Sequence, residues 1–447
     1  KKKHSPNPLH LAAAAAGLLP PVAMSAAGDR SPPREEGRAS IRARALPSGP
    51  PAGRLIDDIL VEILSRVPAK ELCRCKSVSK HWFGLIHHPD HRKRLPQTLA
   101  GFFYGSSAGT TAQRLLELPF RFTSVSGDRC PPFGASLTFL PNHHLPVDLL
   151  DSCNGLLLCR CYHVSDGVGA FHYVVCNPAT QKWVVLPSSC KDSSEVATTS
   201  LGFDPALSSH FHVFELVVEQ NYTQDTELCG VAVYSSETGE WIYKEKRWNR
   251  ASRHSATVFL DGLLFFRVLD LEYHDCVAAV DTKGETWMKF RVPGGQVDDF
   301  GLADGFVQQM LFRVPGGPAD DFGLAHGFIQ QSQGCLHFAN FQRDEHGVGI
   351  RLVVYVLKNY ESEEWIVKHS IKTSDICGWT DLWLDADFDF IAIHPECNSL
   401  FFIAGGVTLM CYNMDNRQVK VISYLGGAKP LFLPYVPLYT ESLSLHC

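Results

Sequence analysis

The chain has 447 residues, of which 45% are hydrophobic and 20% charged, an apolar fraction ample for a large core and one that excludes a wholly disordered chain. No uninterrupted apolar stretch reaches the ~18–20 residues of a membrane span, so no membrane partner is expected. Charge is unevenly spread: 8 basic face 3 acidic side chains in residues 1–50, 9 face 5 in 51–100, and 24 face 39 beyond, where the balance of −15 excludes nucleic acid as a partner.

Residues 1–53 show no hydrophobic periodicity and carry Pro/Gly-rich clusters, so they are expected to be a disordered leader. Lys1, Lys2 and Lys3, an apolar run over 9–19 and small residues over 23–27 sketch a secretory signal. Prolines at 6, 8, 20 and 21 argue against it, as do 15 scattered cysteines, which suit a reducing cytosol or nucleus. Met24 reads as the start, and the sequon Asn221-Tyr222-Thr223 is then incidental.

From Leu55 the texture changes. Ile56, Ile59, Leu60, Ile63, Leu64 and Val67 recur at three- and four-residue steps, which predicts a helix with one broad apolar stripe. Asp57 or Asp58 is the expected N-cap and Pro68 the stop. A second short helix is predicted over 69–76, burying Leu72 and Cys75. A third starts at an Ser79 cap and runs through Trp82, Leu85 and Ile86. So small a module cannot bury all this apolar surface alone, so part of it must meet a partner or the rest of the chain.

Beyond residue 98 the pattern becomes short β-rich runs between Gly, Asn, Asp and Pro. One unit recurs, an apolar strand, a polar turn and a tryptophan-bearing strand. It reads VVCNPATQKWVVLP (174–187), VAVYSSETGEW (231–241), AAVDTKGETW (278–287), VVYVLKNYESEEW (353–365) and CYNMDNRQVKV (411–421), the last with Val419 in the Trp place. The anchors 183, 241, 287, 365 and 419 lie 58, 46, 78 and 54 residues apart. The long interval contains a tandem copy, since 290–309 recurs at 312–331 with an offset of 22 residues. Without it the interval falls to 56, in line with its neighbours. Radial repetition follows, with a six-bladed β-propeller expected and the first and last strands closing the ring. The copy reads as a duplication that loops out of one blade.

Three other patterns compete for a function. Gly105-Ser106-Ser107-Ala108-Gly109 fits the nucleophile elbow G-x-S-x-G, but no strand–helix alternation follows to deliver an Asp and a His. Asp385, Asp387, Asp389 and Glu396 take the spacing of a calcium loop, yet Phe390 stands where the sharp bend needs Gly. His87, His88 and His91 lack a Cys or Glu partner and read as surface histidines. Neither Cys73-Arg74-Cys75 nor Cys159-Arg160-Cys161 has the second pair a zinc site needs. No catalytic residue, metal site or cofactor is expected.

The segment 54–95 resembles an F-box, with the Leu-x-Asp-Asp opening at Leu55–Asp58, the E-I-L-x-R-x-P centre at Glu62–Pro68 and the V-S-K-x-W-x-x-L-I close at Val78–Ile86. NGLLL at 154–158, YVVCNPATQKWVVLP at 173–187 and LPYVPLY at 433–439 resemble the F-box-associated propeller of plant, particularly grass, F-box proteins. The resemblance implies a mainly β chain, with a leader (1–53), an F-box (54–97) and a propeller-like region (98–447). It implies binding of a Skp-family adaptor and, through it, a cullin–RING ubiquitin ligase. Leu55, Ile56, Leu60, Ile63, Leu64, Val67, Pro68, Leu72, Val78, Trp82, Leu85 and Ile86 would build the F-box core and adaptor surface. The propeller would bind a protein substrate, and the subunit would be non-catalytic, in the cytosol or nucleus. Alternatives are an F-box scaffold outside a productive ligase and a secreted propeller enzyme or lectin. The acidic stretches 361–364 and 381–389 are candidates for attracting a basic target.

Overall fold

The computed structural model describes residues 51–439 apart from internal stretches, of which 106–119, 294–326 and 378–387 are the longest. The expected disordered leader falls almost wholly outside the described residues. Three helices come first: α1 (Pro51–Leu64), α2 (Ala69–Cys75) and α3 (Lys80–His87). Helix α1 starts at Pro51, so Asp57 and Asp58 lie inside it and do not cap it. Proline suits a first helical turn, where its missing N–H would be unpaired in any case. Pro68, which cannot extend α1, stands at the head of α2. Ser79 does cap α3, its hydroxyl accepting from the Trp82 N–H at 3.1 Å.

Among the described residues twenty-three strands follow, arranged in six antiparallel sheets. Five have four strands in sequence order. The first blade is β3 (Val147–Cys153), β4 (Leu156–Tyr162), β5 (Phe171–Asn177) and β6 (Lys182–Val185). The second is β7 (Val196–Gly202), β8 (His212–Gln220), β9 (Thr226–Ser235) and β10 (Glu240–Arg250), and the third is β11 (Val258–Leu260), β12 (Leu263–Leu269), β13 (Asp275–Asp281) and β14 (Trp287–Arg291). The fourth is β15 (Phe328–Ser332), β16 (Cys335–Arg343), β17 (Ile350–Asn359) and β18 (Glu364–Lys372), followed by a short helix, α4 (Thr373–Cys377). The fifth is β19 (Phe388–Ile393), β20 (Ser399–Ala404), β21 (Thr408–Asn413) and β22 (Gln418–Tyr424).

The sixth blade draws on both ends of the sheet-forming chain. The late strand β23 (Phe432–Tyr435) pairs with β1 (Gly101–Gly105), which pairs with β2 (Phe120–Ser124). The ring therefore closes through the expected pairing of first and last strands. Six separate apolar clusters lie at the six junctions between neighbouring blades, including the closing one, where Phe103 and Tyr435 meet Leu157 and Val174.

Both faces of a blade are buried, which explains the unbroken apolar runs. Successive side chains of a strand point to opposite faces. Leu264, Phe266 and Val268 of β12 pack toward the second blade, while Leu263 and Phe265 pack toward the fourth. In β13 the same division separates Cys276, Ala278 and Val280 from Val277 and Ala279. Buried thiols such as Cys159, Cys176 and Cys276 serve as small apolar side chains here, and the cysteines among the described residues form no disulfide.

Turn chemistry fixes the hairpins. Asn154-Gly155, Asp261-Gly262 and Gln333-Gly334 each place both residues at positive φ, the geometry of a two-residue hairpin turn that matches strand twist. All five repeat anchors fall in the outermost strand of successive blades: Trp183 opposite Cys176, Trp241 opposite Tyr234, Trp287 opposite Val280, Trp365 opposite Leu357 and Val419 opposite Tyr412. A left-handed residue precedes four of them by two positions (Gln181, Gly239, Glu363 and Arg417), so these four enter their strands at the same point of the turn.

Alternating strand direction divides the connections between two faces. Hairpins joining the first to the second strand and the third to the fourth emerge on one side, the hairpin face. Connections between blades emerge on the other, the far face.

The tandem copy is placed differently from the sequence expectation. Its first unit opens with Phe290 and Arg291 in β14, and its second closes with Phe328 to Gln331 in β15. The duplicated stretch thus joins two blades and does not loop out of one; most of it lies outside the described residues. Deleting 290–311 puts Phe312, Arg313 and Val314 directly after Lys289, in place of the same three residue types. The connection between β14 and β15 then falls from 36 residues to 14, against 15 between β18 and β19. The deletion should shift the unfolding midpoint by less than about 2 °C in a thermal melt; loss of soluble protein would show both copies to be structural.

A carboxylate pins the first two blades. Asp151 in β3 accepts from the Leu201 N–H of β7 at 2.8 Å and from the Ser152 N–H at 2.7 Å. Burial nevertheless pushes its carboxyl up to about 6. The folded chain then holds this proton more tightly than the unfolded chain. The group's contribution to stability is full below its ordinary value and is lost as pH rises through about 6. Asp151→Asn should flatten the decline in stability between about pH 4 and pH 7 in urea unfolding, and an unchanged slope would contradict this assignment.

Candidate functional site: the helical module and its seat on the propeller

The three helices divide the predicted site residues into two groups. Leu60 and Leu64 of α1, Val67, Leu72 of α2, and Trp82, Leu85 and Ile86 of α3 form one buried cluster with Val61, Cys75 and Leu95. Ile56, Ile59 and Val78 are exposed by 49%, 54% and 55%, and Pro68 is exposed as well. Ile63 is half-buried, and the Leu55 side chain lies outside the described residues. The broad stripe therefore has a core side and a solvent side. Trp82, with a capped helix beneath it, belongs to the core.

Polar contacts brace the module. Glu62 takes Arg66 at 2.7 Å and Arg94 at 2.7 Å, tying α1 to the segment beyond α3. The two guanidiniums hold its carboxyl below the usual carboxylate value. Asp57 meets His81 of α3 at 2.9 Å. The rings of His88 and His91 lie 4.7 Å apart, and His91 Nδ1 sits 3.1 Å from the Leu85 carbonyl, so these histidines close the end of α3.

The module is seated on the hairpin face. Lys76, just after α2, reaches Glu396 Oε1 at 3.1 Å and Thr98 Oγ1 at 2.8 Å. Glu396 lies in the β19–β20 connection and is almost fully buried. Its other oxygen accepts from the Thr98 N–H at 2.9 Å, and the Thr98 hydroxyl donates to Oε1. Arg74 of α2 stacks over the Tyr439 ring, 5.4 Å from its centroid. Sequence reasoning placed Glu396 in a calcium-like spacing. The structure instead commits its carboxylate to a lysine, a threonine and a backbone amide, while Asp389 sits in β19. Asp385 and Asp387 lie outside the described residues, as do Ser107 and most of the acidic stretch 381–389. In the other acidic stretch, Glu364 pairs with Lys358 at 3.4 Å.

A three-helix module seated on a closed six-bladed propeller sets the class of architecture. Comparison with known proteins shows what the chain resembles. The F-box domain family matches residues 53–94, and the family described as "F-box protein At3g26010-like, beta-propeller" matches residues 135–286. The chain is 34% identical over 197 residues to F-box protein At5g07610 of Arabidopsis thaliana, covering 42% of this chain and 44% of that one. It is 23% identical over 358 residues to F-box protein At5g49610, covering 76% and 86%, and 29% identical over 220 residues to F-box protein At3g26010, covering 47% and 48%, both from the same plant. The chain thus spans less than half the length of two of these three relatives. It carries an F-box domain, and the region after it is similar to the β-propeller of plant F-box proteins.

The division within the helical stripe has a direct consequence. Leu64→Ala opens a cavity in the module's core and should cost about 2–5 kcal/mol, read as faster amide exchange throughout α1 to α3. Ile59→Ala removes only exposed surface and should stay within about 0.5 kcal/mol. Equal effects at the two positions would contradict the partition.

Proposed function

We propose that this chain is the substrate-recognition subunit of a Skp–cullin–F-box ubiquitin ligase, acting in the cytosol or nucleus and without catalysis of its own. One observation carries the reading: a small, fully cored helical module keeps Ile56, Ile59 and Val78 in solvent. Exposed aliphatic anchors on a packed module suit a partner surface, and the F-box implies that the partner is a Skp-type adaptor. The ligase's recruited conjugating enzyme supplies the chemistry. This subunit's contribution is effective concentration, holding a target near the charged enzyme.

We further infer that the target binds the far face of the propeller. The helical module occupies the hairpin face, over the fifth and sixth blades, whereas the inter-blade connections leave from the opposite side. The −15 balance beyond residue 100 favours a basic target segment.

The test is co-purification of a Skp adaptor with the full chain and with Ile56→Asp and Ile59→Asp. Each change is silent for the core but would bury an unpaired carboxylate in the interface, so adaptor affinity should fall at least ~100-fold with the propeller still folded. Retained binding by both soluble variants would overturn the assigned surface, and no binding by the unaltered chain would overturn the ligase role.

A further inference from the structure

We infer that the F-box does not swing on a tether: Lys76, Glu396 and Thr98 lock it to the hairpin face in one orientation, and Lys76 and Glu396 are positioning residues for whatever the propeller presents. The inference rests on the receptor role proposed above, and it assigns that role a fixed geometry.

The first argument is the length of the joint. Leu95 is buried in the helical core and Leu99 in the cluster between the fifth and sixth blades. Four residues span at most about 14 Å, so both cores cannot keep their anchors and drift apart. The Ala100 N–H donates to the Tyr435 carbonyl at 3.0 Å, so the joint enters the sheet without slack.

The second argument is what the joint carries between its anchors. The Lys76 and Glu396 side chains are only 9% and 4% exposed. Ions taken out of water need near-complete compensation, and Lys76 finds it in a carboxylate and a hydroxyl, Glu396 in an ammonium, a hydroxyl and an amide N–H. Such a group tolerates few geometries: a small rotation of the F-box would strand one buried charge from the other. Buried pairs of this kind contribute little net stability compared with apolar packing, but they discriminate between orientations.

The third argument is a second, independent contact. Arg74 lies over Tyr439, beyond the closing strand β23, while Lys76 holds the fifth blade's inner hairpin. Contacts on two blades leave α2 no single point about which to pivot.

The experiment places paired spin labels, introduced as unnatural amino acids, at Arg66 on the F-box and Leu207 on the propeller, both exposed. Distance distributions are recorded for the full chain with and without a Skp adaptor. The unaltered chain should give one narrow peak in both conditions. Glu396→Gln and Lys76→Met should at least double its width, with adaptor affinity changed less than twofold. Amide exchange in β20 and β21 should stay unchanged, while α2 exchanges at least tenfold faster. If Glu396→Gln does not fold, Lys76→Met gives the reading. A broad distribution in the unaltered chain, or a narrow one in the folded variants, overturns the lock. Failure of the unaltered chain to bind the adaptor overturns the receptor role, and the label distances still decide the lock.

Discussion

Everything else in this molecule depends on the pairing of β1 with β23, in which Phe102, Phe103 and Tyr104 lie opposite Pro434, Leu433 and Phe432. A propeller blade is buried on both sides only if the ring is complete, and an open ring would expose two apolar sheet faces to water. Closure here joins strands more than 300 residues apart, and the aromatic side chains at the seam carry it. Phe103 meets Tyr435 and Phe122 edge-on, and Phe102 meets Phe401 of the fifth blade. The same pairing decides where the F-box goes. The segment entering β1 and the segment leaving β23 both emerge on the hairpin face, beside each other, and α2 is held between them. The helical module therefore sits on the seam, and its contacts to Glu396 and Tyr439 fasten amino-terminal helices to carboxy-terminal strands.

Much of this was legible in the sequence because the signals are local. A turn residue with positive φ, followed by a tryptophan at fixed spacing, fixes the entry of the outermost strand whatever the rest of the blade contains. For that reason Trp183, Trp241, Trp365 and even Val419 enter their strands alike, while Trp287 follows its left-handed Gly284 by three positions. The number of units and their spacing then follow from counting. The F-box helices were legible for the same reason, through a three-and-four-residue apolar period, a serine cap and a stopping proline.

What stayed hidden needed distant neighbours. Periodicity shows that Ile56, Ile59, Leu60 and Leu64 share a side of α1, but a stripe this wide faces two ways, and only the packing of α3 and Leu95 separates core from surface. At the start of α1 two aspartates resemble a cap in the sequence, yet both lie inside the helix that Pro51 opens. The duplication reads as part of one blade because a repeat unit that runs from tryptophan to tryptophan conceals the boundary between β14 and β15. Glu396 gave no usable signal at all. Its partner is 320 positions earlier, and its sequence neighbours suggest a calcium loop that the strand β19 rules out.

The use of an ion pair at the seat of the F-box, in place of more leucines, has a physical rationale. Apolar contacts are non-directional and tolerate sliding, so a greasy seat would hold the module at many angles of nearly equal energy. A buried ammonium and carboxylate that share a threonine accept only the arrangement in which every donor meets its acceptor. Effective concentration is lost when geometry forbids simultaneous engagement, so a receptor that bridges an adaptor and a target gains from a joint that is costly to bend. The charge distribution fits this division of work. The region beyond residue 100 is strongly acidic, and the basic helical segment is held to it by the buried Lys76–Glu396 pair and by Arg74 over Tyr439, at the seam where the ring closes.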